Sequence, residues 1–293
     1  MQLIRAFLVA LMLCAPAAAR DLDGIRQSGQ LIVCANKNAM PISGIGDRPG
    51  FQMEIAQEIA KELGVRLSVE WIWAGYQARY TDCDLMLGVA RDPKPASFLR
   101  YLQALTDVQV ILVFAGPPRD VAFEDLSDKV VAVPSASLAH FKLLEIGADP
   151  RVAYKSEVAI LQAIESGELD AGVVSSVALD WYRHDRPGAA LFALSTDILD
   201  VTSHYPLTIA LRHTDALDEA DYHEIAAKMR DDGRLQAILA RYGQTLSAEF
   251  DNPYARVPDE ISEPDSVSVR KDIVEELEDL ARRNREELEQ SAK

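Results

Sequence analysis

The segment FQMEIAQEIAKELGVRLSVEWIW (51–73) changes its hydrophobic period halfway along. Phe51, Ile55, Ile59 and Leu63 recur at helical spacing, which predicts an amphipathic helix stopped by Gly64. Val65, Leu67, Val69, Trp71 and Trp73 then alternate strictly, which predicts a strand with one apolar face. Upstream, LIVCAN (31–36) is a continuous apolar run of the kind buried on both faces of a sheet. Downstream, DLMLGV (84–89) is another. Strand, helix, strand, strand predicts a parallel α/β lobe.

A second set begins after VQVILVFAG (108–116). KVVAVP (129–134) predicts a strand, and SASLAHFKLLEIG (135–147) a helix opened by serines and closed by glycine. SEVAILQAIESG (156–167) predicts a helix with Ser156 as cap and Gly167 as stop. LDAGVVSS (169–176) predicts a buried strand, VALDWYRH a short helix and AALFAL (189–194) a last strand. YPLTIALR (205–212) is an apolar strand that leads into two helices over 218–233 and 234–243. The economical arrangement is a chain that crosses to a second lobe near 108–116 and returns near 203–210. Two crossings make a hinge with a cleft between the lobes. Lobe 1 is expected over 28–110 and 206–248, and lobe 2 over 111–205.

The flanks differ. MQLIRAFLVALMLCAPAAA (1–19) has a basic start, a short apolar centre and a small-residue cleavage site, and reads as a secretory signal peptide. A lipoprotein signal would need a small residue before Cys14, where Leu13 stands. The tail over 249–293 reads as a proline-broken acidic linker. A highly charged helix follows, with Ile273, Leu277, Leu280 and Leu288 as a narrow stripe. The net charge of −16 opposes binding to nucleic acid, whose phosphates demand a basic face. It suits solubility or a basic protein partner.

Export leaves Cys34 and Cys83. The oxidising compartment favours a bridge. Against it, Cys34 falls late in one strand and Cys83 at the start of another. If those strands are parallel neighbours, the offset is about 10 Å, beyond disulfide reach. Bridged and free both stand at this point.

Chemical signatures fail one after another. Gly44, Gly46 and Gly50 have the wrong spacing for a dinucleotide loop. His223-Glu224 lacks a second histidine, because Ala227 stands four residues on. No Gly-x-Ser-x-Gly elbow occurs, and His184 between Arg183 and Asp185 reads as a surface residue. No catalytic residue, metal site or cofactor is expected.

The order of elements, with GFQMEIAQEIAKELG, DLMLGV, EDLSDKVVAVPSAS, AIESGELDAGVV and MRDDGRLQAILARYG in sequence over 28–245, resembles the periplasmic solute-binding proteins that include polar amino-acid receptors. The resemblance implies a two-lobed α/β fold of the type II periplasmic-binding-protein kind. It also implies a periplasmic location, and membrane subunits of an ABC importer as partners. In such sheets ligands sit beyond the carboxyl ends of the strands. The implied contacts are therefore Asn36, Asn38, Met40 and Ile42 after the first strand, and Ala90 and Arg91 after DLMLGV. In lobe 2 they are Ser135 and Ser137 at a helix N-terminus that favours an anion, and Ser175 and Ser176 after AGVV.

The family's amino-acid clamp is missing. Asp92 and Pro95 stand where a threonine and a carboxylate-gripping arginine are usual, Ser175 where an acid takes the α-ammonium, and Ile42 where an aromatic platform is usual. VCANKNAMPIS, CDLMLGV and ILARYGQTL are closer to the solute-binding-like proteins that accompany periplasmic quinoprotein dehydrogenases of the methanol type. That resemblance implies an accessory partner of such a dehydrogenase. An importer receptor for a small solute is the alternative. An enzyme on the same scaffold would need a cleft acid, for which only Asp92 and Glu54 offer themselves.

Overall fold

The structure, a computed structural model, describes residues 20–91, 99–134, 137–199, 204–212 and 214–251. The leader expected over 1–19 and the charged helix expected in the tail lie outside them. The chain opens with α1 (Leu22–Ser28), β1 (Gln30–Ala35) and a small hairpin, β2 (Asn38–Ala39) with β3 (Ser43–Gly44). Then follow α2 (Phe51–Leu63), β4 (Arg66–Trp71), β5 (Leu85–Ala90), β6 (Leu99–Tyr101) and β7 (Thr106–Ala115). Lobe 2 contains β8 (Val130–Ala132), α3 (Leu138–Glu145), β9 (Asp149–Arg151), α4 (Glu157–Glu165), β10 (Ala171–Ser175), α5 (Ser176–Asp185) and β11 (Leu191–Ser195). The last described elements are β12 (His204–Arg212), α6 (Ala216–Asp231) and α7 (Arg234–Ala240).

Strand order is β4-β1-β5-β12-β7-β10-β8-β9, with β6 beside β12 and β11 beside β7. Strands β1, β4 and β5 are parallel to one another, and β12 is antiparallel to β5. The long strand β7 belongs to both lobes. Its first part, Thr106–Gln109, pairs with β12, and its second part, from Val110 onward, pairs with β10 and β11. A side chain at the level of Gln109 and Val110 therefore stands at the junction of the lobes.

The two lobes are filled differently. In lobe 1, α1, α2, α6 and α7 cover one sheet face, burying Leu31, Val33, Phe51, Ile55, Ile59, Leu85, Ile209, Tyr222 and Leu235 in one large core. Leu22 and Ile25 of α1, upstream of the residue 28 at which the sequence patterning begins, belong to that core. The helix expected over 51–63 forms, and Gly64 ends it at φ 72° with its N–H on Ala60 and Lys61 carbonyls. Lobe 2 has a core on each side of its sheet, one around Ile160, Leu161, Ile164 and Tyr182, the other around Leu112, Val131, Leu143 and Val173.

The second face of lobe 1 carries only a small cluster, Cys34, Ile72, Ala78 and Cys83. Cys34 and Cys83 are disulfide-bonded, with Cα atoms 5.6 Å apart. The strand register alone sets Cys34 against Met86, as the sequence offset implies. Cys83, however, lies before β5 begins at Leu85. After β4 the chain passes through a 3₁₀ turn at Gly75–Tyr80 and folds back over the sheet face, carrying Cys83 onto Cys34. Straight-strand geometry fails because Cys83 is not in the strand. Arg212, buried beside it, donates to the Thr81 and Cys83 carbonyls at 3.1 Å each.

The expected strand over 65–73 is correct in period but overreaches in burial. Val65, Leu67 and Val69 pack on the core. Trp71 and Trp73 run past it and remain 41% and 58% exposed. Among the described residues no helix is long and apolar enough to cross a membrane.

Candidate functional site

The carboxyl ends of β5 and β10 come to the level where β7 passes between lobes. Tyr205 of β12 pairs with Val108, Ser175 of β10 with Val110, and the Arg91 amide donates to the Pro206 carbonyl at 3.0 Å. Of the residues expected to contact a ligand, Ser175 and Arg91 are therefore near the lobe junction, and most of the other described ones have local duties.

Asn36 accepts from the Asn38 amide at 2.9 Å and donates to the Trp73 carbonyl at 3.1 Å. It ties the hairpin to the end of β4. Met40 lies against Gly44, where a Cβ would come within 2.8 Å of its sulfur. Ile42 packs on the lobe 1 core and, at 3.5 Å, would just touch a Cβ at Gly88. Ala90 ends β5 opposite Leu207 and is exposed. Ser137 caps α3, accepting from the His140 amide at 3.2 Å and donating to the Pro134 carbonyl at 2.8 Å. Ser135 lies outside the described residues, as do Asp92 and Pro95. Short polar side chains at strand ends serve their own backbone first.

Ser175 and Ser176 lead to a residue that the sequence reading passed over. Ser175 caps α5, accepting from the Ala178 amide at 3.2 Å. Its own amide and hydroxyl both donate to Glu157, at 2.7 and 2.6 Å. Ser176 accepts from the Gln109 amide at 3.0 Å, which fastens the start of α5 to the junction of β7. Glu157, in the first turn of α4, thus places its carboxylate between the beginnings of α4 and α5, over the lobe junction. Burial pushes the Glu157 carboxyl up, against the two bonds from Ser175 that favour its charged form. The same carboxylate adds to burial in raising the Tyr205 phenol. Among the described residues, its hydrogen-bond donors all come from Ser175, and no cationic side chain influences its ionisation.

On one flank the lobes are joined. Helix α5 has two apolar stripes. Val177 and Trp181 enter the lobe 1 core, while Ala178, Leu179 and Tyr182 enter a lobe 2 core. Gln244 donates to the Val177 carbonyl at 3.2 Å, Trp181 meets Tyr242 with ring centroids 5.4 Å apart, and Arg48 pairs with Asp185 at 2.8 Å. Gly243 lies so close that a Cβ would be 2.9 Å from the His184 Cβ. Val158, next to Glu157, touches both the lobe 1 core and a lobe 2 core.

Among the described residues, cavities of about 580, 240, 510 and 290 Å³ are formed. None is lined by the expected contacts. The largest, between α2 and α7, is lined by charges already paired: Arg234 with Glu58 at 3.1 Å, and Arg241 with Glu54. Glu54 also accepts from the Tyr242 hydroxyl at 2.6 Å, so it anchors α2 to the C-terminal segment. Among the described residues no group of three or more His, Cys, Asp and Glu is placed to hold a metal ion.

No protein-family model matches the chain, and no curated protein matches its sequence. Solved structures do match in shape. A mutant of the arginine-binding protein ArgBP from T. maritima superposes with a TM-score of 0.59 at 19% identity, covering 75% of this chain and 98% of that one. An ancestral amino acid-binding protein, described as a precursor of cyclohexadienyl dehydratase, gives 0.60 at 22% identity, covering 75% and 98%. The substrate-binding protein of an amino acid ABC transporter gives 0.57 at 15%, covering 73% and 98%. Identity this low carries the fold and nothing finer. The chain has the two-lobed fold of periplasmic solute-binding proteins.

Proposed function

We propose that the chain is an exported solute-binding receptor that holds a small solute with a positively charged group between its lobes and serves an importer. Glu157 carries this reading. A carboxylate with no cationic partner among the described residues, set where the two lobes meet, is a site for an ammonium or guanidinium group. It is hydrogen-bonded directly to Ser175, the position at which the family's usual acid is lost. The names of the structural neighbours, an arginine-binding protein and an importer's amino acid-binding subunit, support the same class. The role proposed is binding, with no catalytic residue.

Thermal shift tests it, because a ligand that binds only the folded state raises Tm. The panel is arginine, lysine, simple amines, uncharged amino acids and small carboxylates. Tm should rise with cationic solutes and not with carboxylates, and Glu157→Gln should abolish the rise. A cationic shift undiminished in Glu157→Gln, or a shift with carboxylates alone, overturns the reading.

One observation favours a second reading, the accessory partner of a quinoprotein dehydrogenase. Trp73, Tyr76 and Tyr80 are 58%, 63% and 73% exposed on one side of lobe 1, and exposed aromatic groups favour protein docking. The structural comparisons support the receptor and not this partner. Capture of a purified dehydrogenase, lost on Trp73→Ala with Tyr76→Ala, would reverse the ranking.

A further inference from the structure

Strand β4 ends the sheet. It pairs with β1 on one side, and among the described residues no strand covers the other. It contains neither proline nor bulge, two devices that blunt an exposed edge. The Arg66 amide donates to the Gly29 carbonyl and the Ile72 amide to the Ala35 carbonyl. Arg66, Ser68 and Glu70 therefore turn their backbone groups inward to β1, and Leu67, Val69 and Trp71 turn theirs outward.

From this geometry we infer that β4 is a self-association edge, pairing antiparallel with β4 of a second copy about a two-fold axis at Ser68. The inference is independent of what the cleft binds.

Three observations select this occupant and this register. First, the parity is right. With the axis at Ser68, Leu67 lies opposite Val69 of the second copy, so outward-facing amides and carbonyls meet as hydrogen-bonded pairs. Second, the charges are complementary. Arg66 falls opposite Glu70 of the second copy, and by symmetry Glu70 opposite its Arg66. Both side chains are exposed, on the same sheet face as Ser68. These are non-hydrogen-bonded positions, where facing side chains come closest. A slide of two residues sets each charge against an uncharged residue. A slide of four sets Arg66 against Arg66 or Glu70 against Glu70, which is repulsive. Third, Trp71 and Trp73 lie exposed at the end of this edge. Strand pairing alone buries less than the roughly 1,200 Å² of a stable interface, and two tryptophans supply apolar area beside it.

Sedimentation velocity of the chain, purified with residues 252–293 present, tests the inference at concentrations up to about 100 µM. A dimer is expected. Glu70→Arg sets arginine against arginine at two symmetric positions and should weaken dimerisation by at least about tenfold. Arg66→Glu combined with Glu70→Arg should restore it. Far-UV circular dichroism checks that each variant is folded. Ser68→Cys should give a covalent dimer on mild oxidation, because a facing non-hydrogen-bonded pair has Cα atoms about 4.5 Å apart. Leu67→Cys should not. A monomer at the highest concentration overturns the inference. So does a dimer that ignores Glu70→Arg, since it must use another surface.

Discussion

Lobe 2 is packed on both faces of its sheet, and lobe 1 on one. In lobe 2, Leu161 and Ile164 fill one side while Val131 and Leu143 fill the other. In lobe 1 nearly all apolar contact is on the helical side, and the other face has one small cluster clipped by Cys34–Cys83. A sheet face that lacks apolar partners can still be closed if a covalent link holds the covering segment down. Lobe 2 gains its order from area, and this part of lobe 1 from a crosslink.

The largest expected effect is loss of that crosslink. Residues 34 and 83 are separated by 49 positions, and the chain-entropy model assigns such a loop about 4 kcal/mol. Cys34→Ser with Cys83→Ser should lower the denaturant midpoint accordingly. Hydrogen exchange should show faster opening at residues 72–83 than in lobe 2. Equal loss of protection in both lobes would break the contrast.

Next comes Gly243. At φ 67° and with a Cβ position 2.9 Å from that of His184, Gly243→Ala strains the backbone and pushes α5 away. A loss of about 1–3 kcal/mol is expected, read from urea unfolding. An unchanged midpoint would mean that the lobes are not fastened there.

Glu157 gives a pH signature. Its folded pKa is raised above the ordinary carboxyl value. The stability it contributes is therefore complete below the unfolded pKa and is lost as pH rises through the folded one. Glu157→Gln cannot ionise, so it should gain stability relative to the native chain as pH rises above the ordinary carboxyl range. Binding of a cationic solute should strengthen over the same range, as the carboxylate forms. A flat difference between the two proteins would remove the burial from Glu157. The smallest effect is Arg48→Ala. Arg48 and Asp185 are 59% and 43% exposed, so breaking the pair should cost under about 1 kcal/mol, measured by the same unfolding curve.

The fold was legible where periodicity runs long. The four-residue spacing of Phe51, Ile55, Ile59 and Leu63 and the unbroken strand around Val33 leave few alternatives. Burial was less legible, because alternation in VRLSVEWIW does not reveal where the core stops, and Trp71 and Trp73 pass beyond it. The bridge was open because the offset between cysteines assumes a straight strand, which the turn before Leu85 is not. The site was the least legible part. Asn36, Ser137, Ser175 and Ser176 look like ligand contacts from their places at strand ends, yet each is engaged by nearby backbone. Glu157 looks like an ordinary acid in a first helical turn. Only the fold brings it to Ser175, eighteen residues away in sequence, and no local pattern encodes that meeting.

Helix α5 gives the lobes an axle. Its Val177 and Trp181 stripe belongs to one core and its Leu179 and Tyr182 stripe to the other. A rotation of lobe 2 that swung α5 free would bring Trp181 out from against Tyr242 into water, a cost set by the apolar area uncovered. Turning about the helix's own long direction uncovers far less. If the chain is the receptor proposed above, its cleft would open on the side away from α5, like a book on its spine, and a solute would enter and leave by that side.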